Sequence, residues 1–113
     1  MRTINPAVKA QLADFRRRLM DHFGARLVGL TLFGSHARGD AGPDSDIDVV
    51  VVLDRIDSHA ERVWPMQLSA DFAGVLLVPI VLSRAELELL RAREDTLSES
   101  VSRDGIPIEP EAA

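Results

Sequence analysis

The sequence predicts a small α/β domain of the α+β type, with helices packed on one side of a short mixed sheet. Two observations support this prediction. Some segments have apolar residues at helical spacing, whereas others are short continuous apolar runs that are typical of buried strands. The segments follow the order helix, strand, strand, helix, strand, helix, helix, strand, and 113 residues are enough for one domain, residues 1–113.

The first predicted element is a helix that begins at Asn5-Pro6, because asparagine is a favoured N-cap and proline fits the first helical position. Its apolar residues recur at helical spacing, so one face is apolar. These residues are Val8, Leu12, Phe15 and Leu19. Gly24 is a suitable C-cap. The basic cluster Arg16–Arg18 is interpreted as a solvated helix face, and a docking face for an acidic partner is the alternative.

Two strands are predicted next, at Leu27–Phe33 and Asp46–Leu53. The first is rich in apolar and β-branched residues, and the second contains four successive valines. Such a run indicates burial on both faces and therefore a central strand. Residues 39–45 are dense in turn-forming residues and predict a loop between the strands.

The middle of the chain predicts a helix and a third strand. The helix covers Ser58–Gly74, where Pro65 either kinks it or starts its main part. The strand covers Val75–Leu82. Because Pro79 has no backbone N–H to donate, this strand is expected at an edge of the sheet or with a bulge.

The last third predicts two helices and a short strand. Ser83 and Glu86 form a capping-box pattern that opens the first helix. The second helix is expected over Asp95–Arg103, with Gly105 as its cap and Ile106–Ile108 as a terminal strand.

The composition excludes several classes of site and partner. With no cysteine, disulfides, thiolate metal sites and thiol nucleophiles are ruled out. The net charge of −5 and the pI of about 5.1 differ from the basic excess of most nucleic-acid binders, so no nucleic-acid partner is expected. The apolar runs are too short to span a bilayer, and residues 1–9 lack the apolar core of a secretory signal, so a cytoplasmic location without membrane contact is expected.

The candidate site consists of two segments, Gly34–Gly39 and Asp46–Asp48. Residues at i and i+2 of a strand point to the same face, so Asp46 and Asp48 project together while Ile47 turns into the core. Two carboxylates about 7 Å apart along a strand repel each other unless a cation lies between them, and Mg²⁺ prefers such ligands. The pair therefore predicts a magnesium site, with a loop-end N-cap and a solvated acid as the alternative.

The glycine–serine turn predicts a phosphate site beside these acids. Gly34 has no Cβ, so backbone N–H groups can approach a phosphate closely, and Ser35 adds a hydroxyl donor. Arg38 could supply a planar cationic fork. Ser35 could instead be a simple turn former, and His36 is expected at the surface or partly stacked, with nucleotide contact as the alternative. Arg38 could also form a local salt bridge with a nearby acid, namely Asp40, Asp44 or Asp46.

Gly34-Ser35, ten intervening residues and Asp46-x-Asp48 resemble the signature of the DNA polymerase β-like nucleotidyltransferase superfamily. The fuller string GSHARGDAGPDSDIDVVV, residues 34–51, is similar to its minimal branch, the MNT domains of prokaryotes. Both motif halves at this spacing between two apolar strands are a specific signal. The resemblance covers nearly the whole chain and implies the nucleotidyltransferase fold.

The resemblance also implies an activity, which is transfer of a nucleoside monophosphate, AMP from ATP, to a hydroxyl group with pyrophosphate leaving. It implies that the Gly34 backbone and Ser35 bind the triphosphate, and that Asp46 and Asp48 bind two Mg²⁺ ions in catalysis. MNT domains are often encoded beside a HEPN-type protein, and they act as antitoxins by adenylylating a HEPN tyrosine or by binding the toxin.

The sequence departs from this family at a third carboxylate, which active members carry on the strand after the next helix. The predicted strand Val75–Leu82 contains no Asp or Glu. If Ser83 is aligned with the serine or threonine that usually follows this strand in the family, Val78 falls at the position of the expected acid. Asp71 is the nearest upstream acid, but it is predicted to lie in the helix and face water. A degenerate site of this kind could hold a single Mg²⁺.

Three functions follow as hypotheses. The first is a Mg²⁺-dependent nucleotidyltransferase that modifies a partner protein, and the second is a catalytically degenerate module that neutralises a HEPN-type toxin by contact. The third, an antibiotic nucleotidyltransferase, would need an extra helical domain to hold its acceptor. Because no second-substrate pocket is evident, a partner subunit or a second copy of the chain is expected to complete the site.

Overall fold

The computed structural model describes residues 4–42, 45–70 and 76–110. Five α-helices and four strands are formed within these ranges. The helices are α1 (Pro6–Phe23), α2 (Ser35–Arg38), α3 (His59–Ser69), α4 (Arg84–Ala92) and α5 (Thr96–Asp104). The strands are β1 (Leu27–Phe33), β2 (Ile47–Leu53), β3 (Leu77–Ser83) and β4 (Ile106–Pro107). No helix in the described ranges is both long and apolar enough to cross a membrane.

The four strands form one mixed sheet in the order β3-β2-β1-β4. Strand β1 is antiparallel to β2 and to β4, whereas β2 is parallel to β3. Strand β3 therefore lies at an edge, as Pro79 predicts. The central strand β2 is the valine-rich strand, and its residues from Val49 onwards are all buried.

One face of the sheet packs against α1 and α3. Leu12, Phe15 and Leu19 of α1 are fully buried there, in the same core cluster as alternate side chains of β2. Removing such a side chain from water contributes about 1.5–3 kcal/mol. This face contains the main core of the domain.

The other face is covered by α4 and α5. Val50 and Val52 of β2 pack with Leu82, and partly buried residues of the two helices close over them. These helix residues are Leu87, Leu90, Leu97 and Val101. The prediction of a mixed sheet packed by helices is confirmed, but the helices cover both faces rather than one. The reason is that alternation along β2 points two of its four valines to each side, and each apolar side must be buried.

Most predicted boundaries agree with the structure. The side chain of Asn5 caps α1, and Gly24 follows its last turn. Ser83 and Glu86 form the predicted capping box at the start of α4. The side chain of Asp95 caps α5, and Gly105 follows its end.

Several boundaries differ from the predicted ones, most of them by one or two residues. Strand β2 begins at Ile47, so Asp46 lies just outside it. Helix α3 begins at His59 and therefore contains Pro65 within it. It ends at Ser69, and the predicted continuation through Gly74 and the start of the next strand at Val75 lie outside the described residues.

Candidate functional site

The site is arranged around the turn that follows β1. Gly34 has φ 75° and ψ −155°, a backbone conformation that is essentially restricted to glycine. Its carbonyl accepts hydrogen bonds from the N–H groups of Ala37 and Arg38, both at 3.1 Å. Gly39 ends α2 in the left-handed region with φ 85°. Two glycines thus reverse the chain tightly on either side of this single helical turn.

The Gly34 turn lies directly against the Asp48 carboxylate. A Cβ built on Gly34 would lie 2.5 Å from Oδ2 and 3.3 Å from Cγ of Asp48. This closeness follows from strand pairing, because Phe33 is the register partner of Asp48 and Gly34 comes next. Glycine is therefore needed here both for its backbone conformation and for the space that the carboxylate occupies.

The two acids of the Asp-x-Asp motif differ in burial. Asp48 is half-buried on β2, whereas Asp46 is exposed just before the strand. Asp48 lies on the same face of the sheet as Val50, and Ile47 between the acids is fully buried, as predicted. The motif thus begins at the surface and enters the edge of the α4–α5 face.

Electrostatics couple the two acids. Burial raises the pKa of Asp48 above its ordinary value, and the charge of Asp46 raises it further. His36 and Arg38 act in the opposite direction on the same pKa. A cation between the carboxylates would offset the repulsion and the desolvation together.

Ser35 begins α2 beside these groups. Its carbonyl accepts from Gly39 N at 3.0 Å and from Asp40 N at 3.1 Å. Ser35 is half-buried, and it directly follows Gly34, whose turn lies against Asp48.

Arg38 pairs with two acids in the structure. Its Nε donates to Asp40 Oδ2 at 3.2 Å, which is one of the local salt bridges considered from the sequence. Its Nη1 lies 3.9 Å from Asp104 Oδ2 at the end of α5, a neighbour that sequence reasoning missed. The Arg38 side chain is 41% exposed and that of Asp40 is 63% exposed. Because exposed ion pairs are weak, the Asp40 contact leaves the guanidinium able to turn toward another anion.

His36 also has a contact that the sequence did not predict. Its Nε2 lies 3.0 Å from the carbonyl oxygen of Ser45, the residue before Asp46. The side chain is half-buried rather than a simple surface group. A histidine followed by a loop of turn formers gives no sequence signal for such a bond, because it depends on how the loop folds back.

The position of the expected third acid is occupied by a valine. Val78 is the register partner of Asp48 on the parallel strand β3. Among the described residues, no group of three or more His, Asp or Glu side chains is placed to hold a metal ion. Asp71 lies outside the described residues.

The arginine cluster of α1 has mixed contacts. Arg17 and Arg18 pair with Asp14 on the same helix, in agreement with a solvated face. Arg16 instead donates from Nε to the carbonyl of Ile108 at 3.1 Å. One of the three arginines therefore links α1 to the segment that follows β4.

Known proteins resemble this chain in sequence and in fold. Residues 12–102 match the family model of the nucleotidyltransferase domain. The protein adenylyltransferase MntA of Thermococcus cleftensis is 37% identical over 51 residues, which cover 45% of this chain and 50% of that protein. The chain thus spans only about half the length of this relative.

Two solved structures share the fold. A chain of a toxin–antitoxin with AMP-PNP has a TM-score of 0.60 at 19% identity, over 88% of this chain and 73% of that chain. A chain of the complex of the tri-AMPylated HEPN toxin of Shewanella oneidensis with MNT antitoxin has a TM-score of 0.55 at 16% identity, over 91% and 73%. At these identities the likeness establishes the fold alone. Because the family model covers most of the sequence, the chain belongs to the nucleotidyltransferase domain family.

Proposed function

We propose that this protein transfers AMP from ATP to a hydroxyl group of a HEPN-type partner protein and acts as the antitoxin of that pair. The observation that supports this most directly is the contact of the Gly34 turn with the Asp48 carboxylate, beside Asp46. A phosphate-binding turn and a pair of acids are both needed for Mg²⁺-dependent nucleotidyl transfer, and here they adjoin.

The similar proteins support the choice of substrate and partner. The Thermococcus cleftensis relative is a protein adenylyltransferase, and the two structural neighbours are toxin–antitoxin complexes, one with AMP-PNP and one with an AMPylated HEPN toxin. ATP as nucleotide and a HEPN-type protein as acceptor are the corresponding proposals for this chain.

Asp46 and Asp48 are the residues that would hold Mg²⁺. The donor set fits this ion, because it consists of carboxylate oxygens. Burial, and then the charge of Asp46, raise the pKa of Asp48, and a bound cation would offset both effects. Bound there, the ion would neutralise triphosphate oxygens and orient them for displacement. The Gly34 backbone, the Ser35 hydroxyl and Arg38 are assigned to the triphosphate, and Arg38 would exchange its exposed Asp40 contact for a phosphate.

In the proposed reaction the acceptor hydroxyl oxygen bonds to the α-phosphorus as the bond to pyrophosphate breaks. The residues of this chain bind and align the triphosphate for that step. The acceptor proton must also be removed, and β3 has Val78 opposite Asp48, where the family resemblance implies an acid. Proton removal is therefore the step for which this chain is least equipped.

The test is transfer of label from α-labelled ATP, with Mg²⁺ and the HEPN-type protein encoded beside this chain. We expect label in the partner with the wild-type protein and none with Asp48→Asn. Asp21→Asn is a matched control, because Asp21 is an exposed acid of α1 that lies outside the motif. Absence of label with the wild type, while an active relative labels its own partner in parallel, would reject catalysis.

A second function is favoured by the position of Val78, which lies opposite Asp48 in the strand register and provides no carboxylate there. In this alternative the site does not catalyse transfer, and the protein neutralises its partner by contact. Asp48→Asn would then leave neutralisation intact. Loss of neutralisation by a folded Asp48→Asn protein, together with loss of labelling, would instead support the catalytic function.

A further inference from the structure

Asp46 needs support from outside the sheet. The ladder of β2 with β3 begins at Ile47, and the ladder with β1 begins at Asp48. Asp46 is exposed and precedes the first strand residue. Strand pairing alone therefore does not fix the direction in which its carboxylate points.

The two peptide groups that flank Asp46 are both anchored. The N–H of Ile47, which belongs to the following peptide group, donates to the carbonyl of Leu76 at 2.8 Å. The carbonyl of Ser45, which belongs to the preceding peptide group, lies 3.0 Å from His36 Nε2. Because peptide groups are planar, only φ and ψ of Asp46 remain free between these two planes. Holding both planes restricts both angles.

The bond from His36 differs from the other contacts of Ser45. The Gly42 N–H donates to Ser45 Oγ at 2.8 Å, and the Ser45 N–H donates to the Gly42 carbonyl at 3.2 Å. Those bonds shape the loop internally. The His36 bond joins the loop to α2, and through α2 to the Gly34 turn that lies against Asp48.

We infer that His36 is a positioning residue that holds the peptide group preceding Asp46, so that the Asp46 carboxylate stays beside Asp48 for a shared divalent cation. This inference rests on the proposed function, because it concerns the metal site assigned there. The carbonyl of Ser45 can only accept, so Nε2 carries the proton and donates it. Contact of the same nitrogen with a phosphate would require release of the loop.

Two variants separate the hydrogen bond from the rest of the side chain. His36→Ala removes the donor, whereas His36→Gln keeps an N–H group at a similar distance from the backbone. His59→Ala is the matched control, because His59 is an exposed histidine at the start of α3. Circular dichroism first establishes that each full-length variant is folded.

The first measurement is the ¹⁵N backbone order parameter of Asp46 in the metal-free protein. We expect about 0.85 in the wild type and below about 0.6 in His36→Ala, the values of rigid and flexible backbone. His36→Gln should restore the wild-type value and His59→Ala should not change it. An Asp46 amide that is as rigid in His36→Ala as in the wild type would overturn the inference.

The second measurement is the affinity of the protein for Mn²⁺ in the absence of nucleotide. Binding is monitored by the electron paramagnetic resonance signal of Mn²⁺. We expect His36→Ala to weaken binding about tenfold, the factor that corresponds to ordering the backbone of one residue, and His36→Gln to restore it. Unchanged Mn²⁺ affinity with weakened ATP affinity would overturn the inference in favour of direct nucleotide contact. A wild-type protein that binds no Mn²⁺ would reject the proposed metal site, while the order parameter still decides what His36 does.

Discussion

Val78 lies opposite Asp48 in the parallel register of β2 and β3. Register partners on adjacent parallel strands point to the same face of the sheet, so the valine is next to the carboxylate at the level of the Gly34 turn. Under the proposed function, an acid at this position would act as a third metal ligand or as a base. The chain has an apolar side chain there instead.

Val78→Asp is expected to raise the rate of AMP transfer to the partner by about 10²–10⁴, the usual contribution of a positioned base. The measurement is the initial rate of label incorporation from α-labelled ATP. Val78→Asn is the matched control, because it has the same size without the charge. If both variants transfer label at the wild-type rate while binding Mg²⁺·ATP normally, the register position does not limit catalysis.

Gly34→Ala and Gly39→Ala separate backbone strain from the contact with Asp48. Both glycines have positive φ, but a Cβ on Gly39 would meet nothing within 4 Å. Gly39→Ala should therefore lower the free energy of unfolding by roughly 1–2 kcal/mol and leave Mn²⁺ affinity unchanged. Gly34→Ala should lose about 1–3 kcal/mol from strain and also lose Mn²⁺ binding, because the new methyl group displaces Asp48.

Urea unfolding and Mn²⁺ titration of the two variants provide the measurements. Equal Mn²⁺ affinity in both variants would show that the closeness of Gly34 to the carboxylate is not required for the metal site.

Asp48→Asn is expected to stabilise the metal-free protein at pH 7. Burial, and then Asp46, raise the pKa of Asp48 in the folded state above its ordinary value of 3.8. A carboxyl group with a raised pKa favours folding when protonated, and this contribution is lost as the pH rises through its folded pKa. The greater stability of Asp48→Asn should therefore disappear below pH 3.8, where the Asp48 carboxyl is protonated in both the folded and the unfolded protein.

Urea unfolding in the presence of EDTA at pH 7 and pH 3 measures this effect. Asp21→Asn, at an exposed acid of α1, is the control and should change little. A lower stability of Asp48→Asn at pH 7 without metal would contradict the prediction. Added Mg²⁺ should stabilise only proteins with an intact acid pair, because ligand binding to the folded state stabilises it.

Glu61→Gln should destabilise the protein at neutral pH. Glu61 of α3 accepts hydrogen bonds from the guanidinium of Arg26, a residue between α1 and β1. It also accepts one from the backbone N–H of Asp57 at 2.7 Å. The Arg26 hydrogen bond is the largest cause that lowers the pKa of Glu61 from 4.5 to about 2. A depressed pKa stabilises the folded state above pH 4.5, and the contribution is lost as the pH falls toward 2.

The urea midpoint of Glu61→Gln should therefore lie below that of the wild type at pH 7, and the difference should shrink between pH 4.5 and pH 2. Glu88→Gln, at an exposed residue paired within α4, is the control and should shift the midpoint little. A difference that is independent of pH would show that the Glu61 carboxylate charge does not contribute.

The sequence alone determined the local elements of this protein. Asn5 and Gly24 mark the ends of α1, Ser83 marks the start of α4, and Pro79 identifies an edge strand, because each of these signals acts through its own backbone neighbours. The combination of Gly34-Ser35 with Asp-x-Asp likewise predicted the nucleotidyltransferase family, which the match of the family model to residues 12–102 establishes.

The tertiary structure decided which of these local features meet. The distance of Gly34 from Asp48, the bond of His36 to Ser45 and the approach of Arg38 to Asp104 all join residues that are separate in the chain. Helices on both faces of the sheet were missed for a related reason. Apolar periodicity shows that a side chain must be buried, but the strand register and the helix that covers it are set by how the whole core packs.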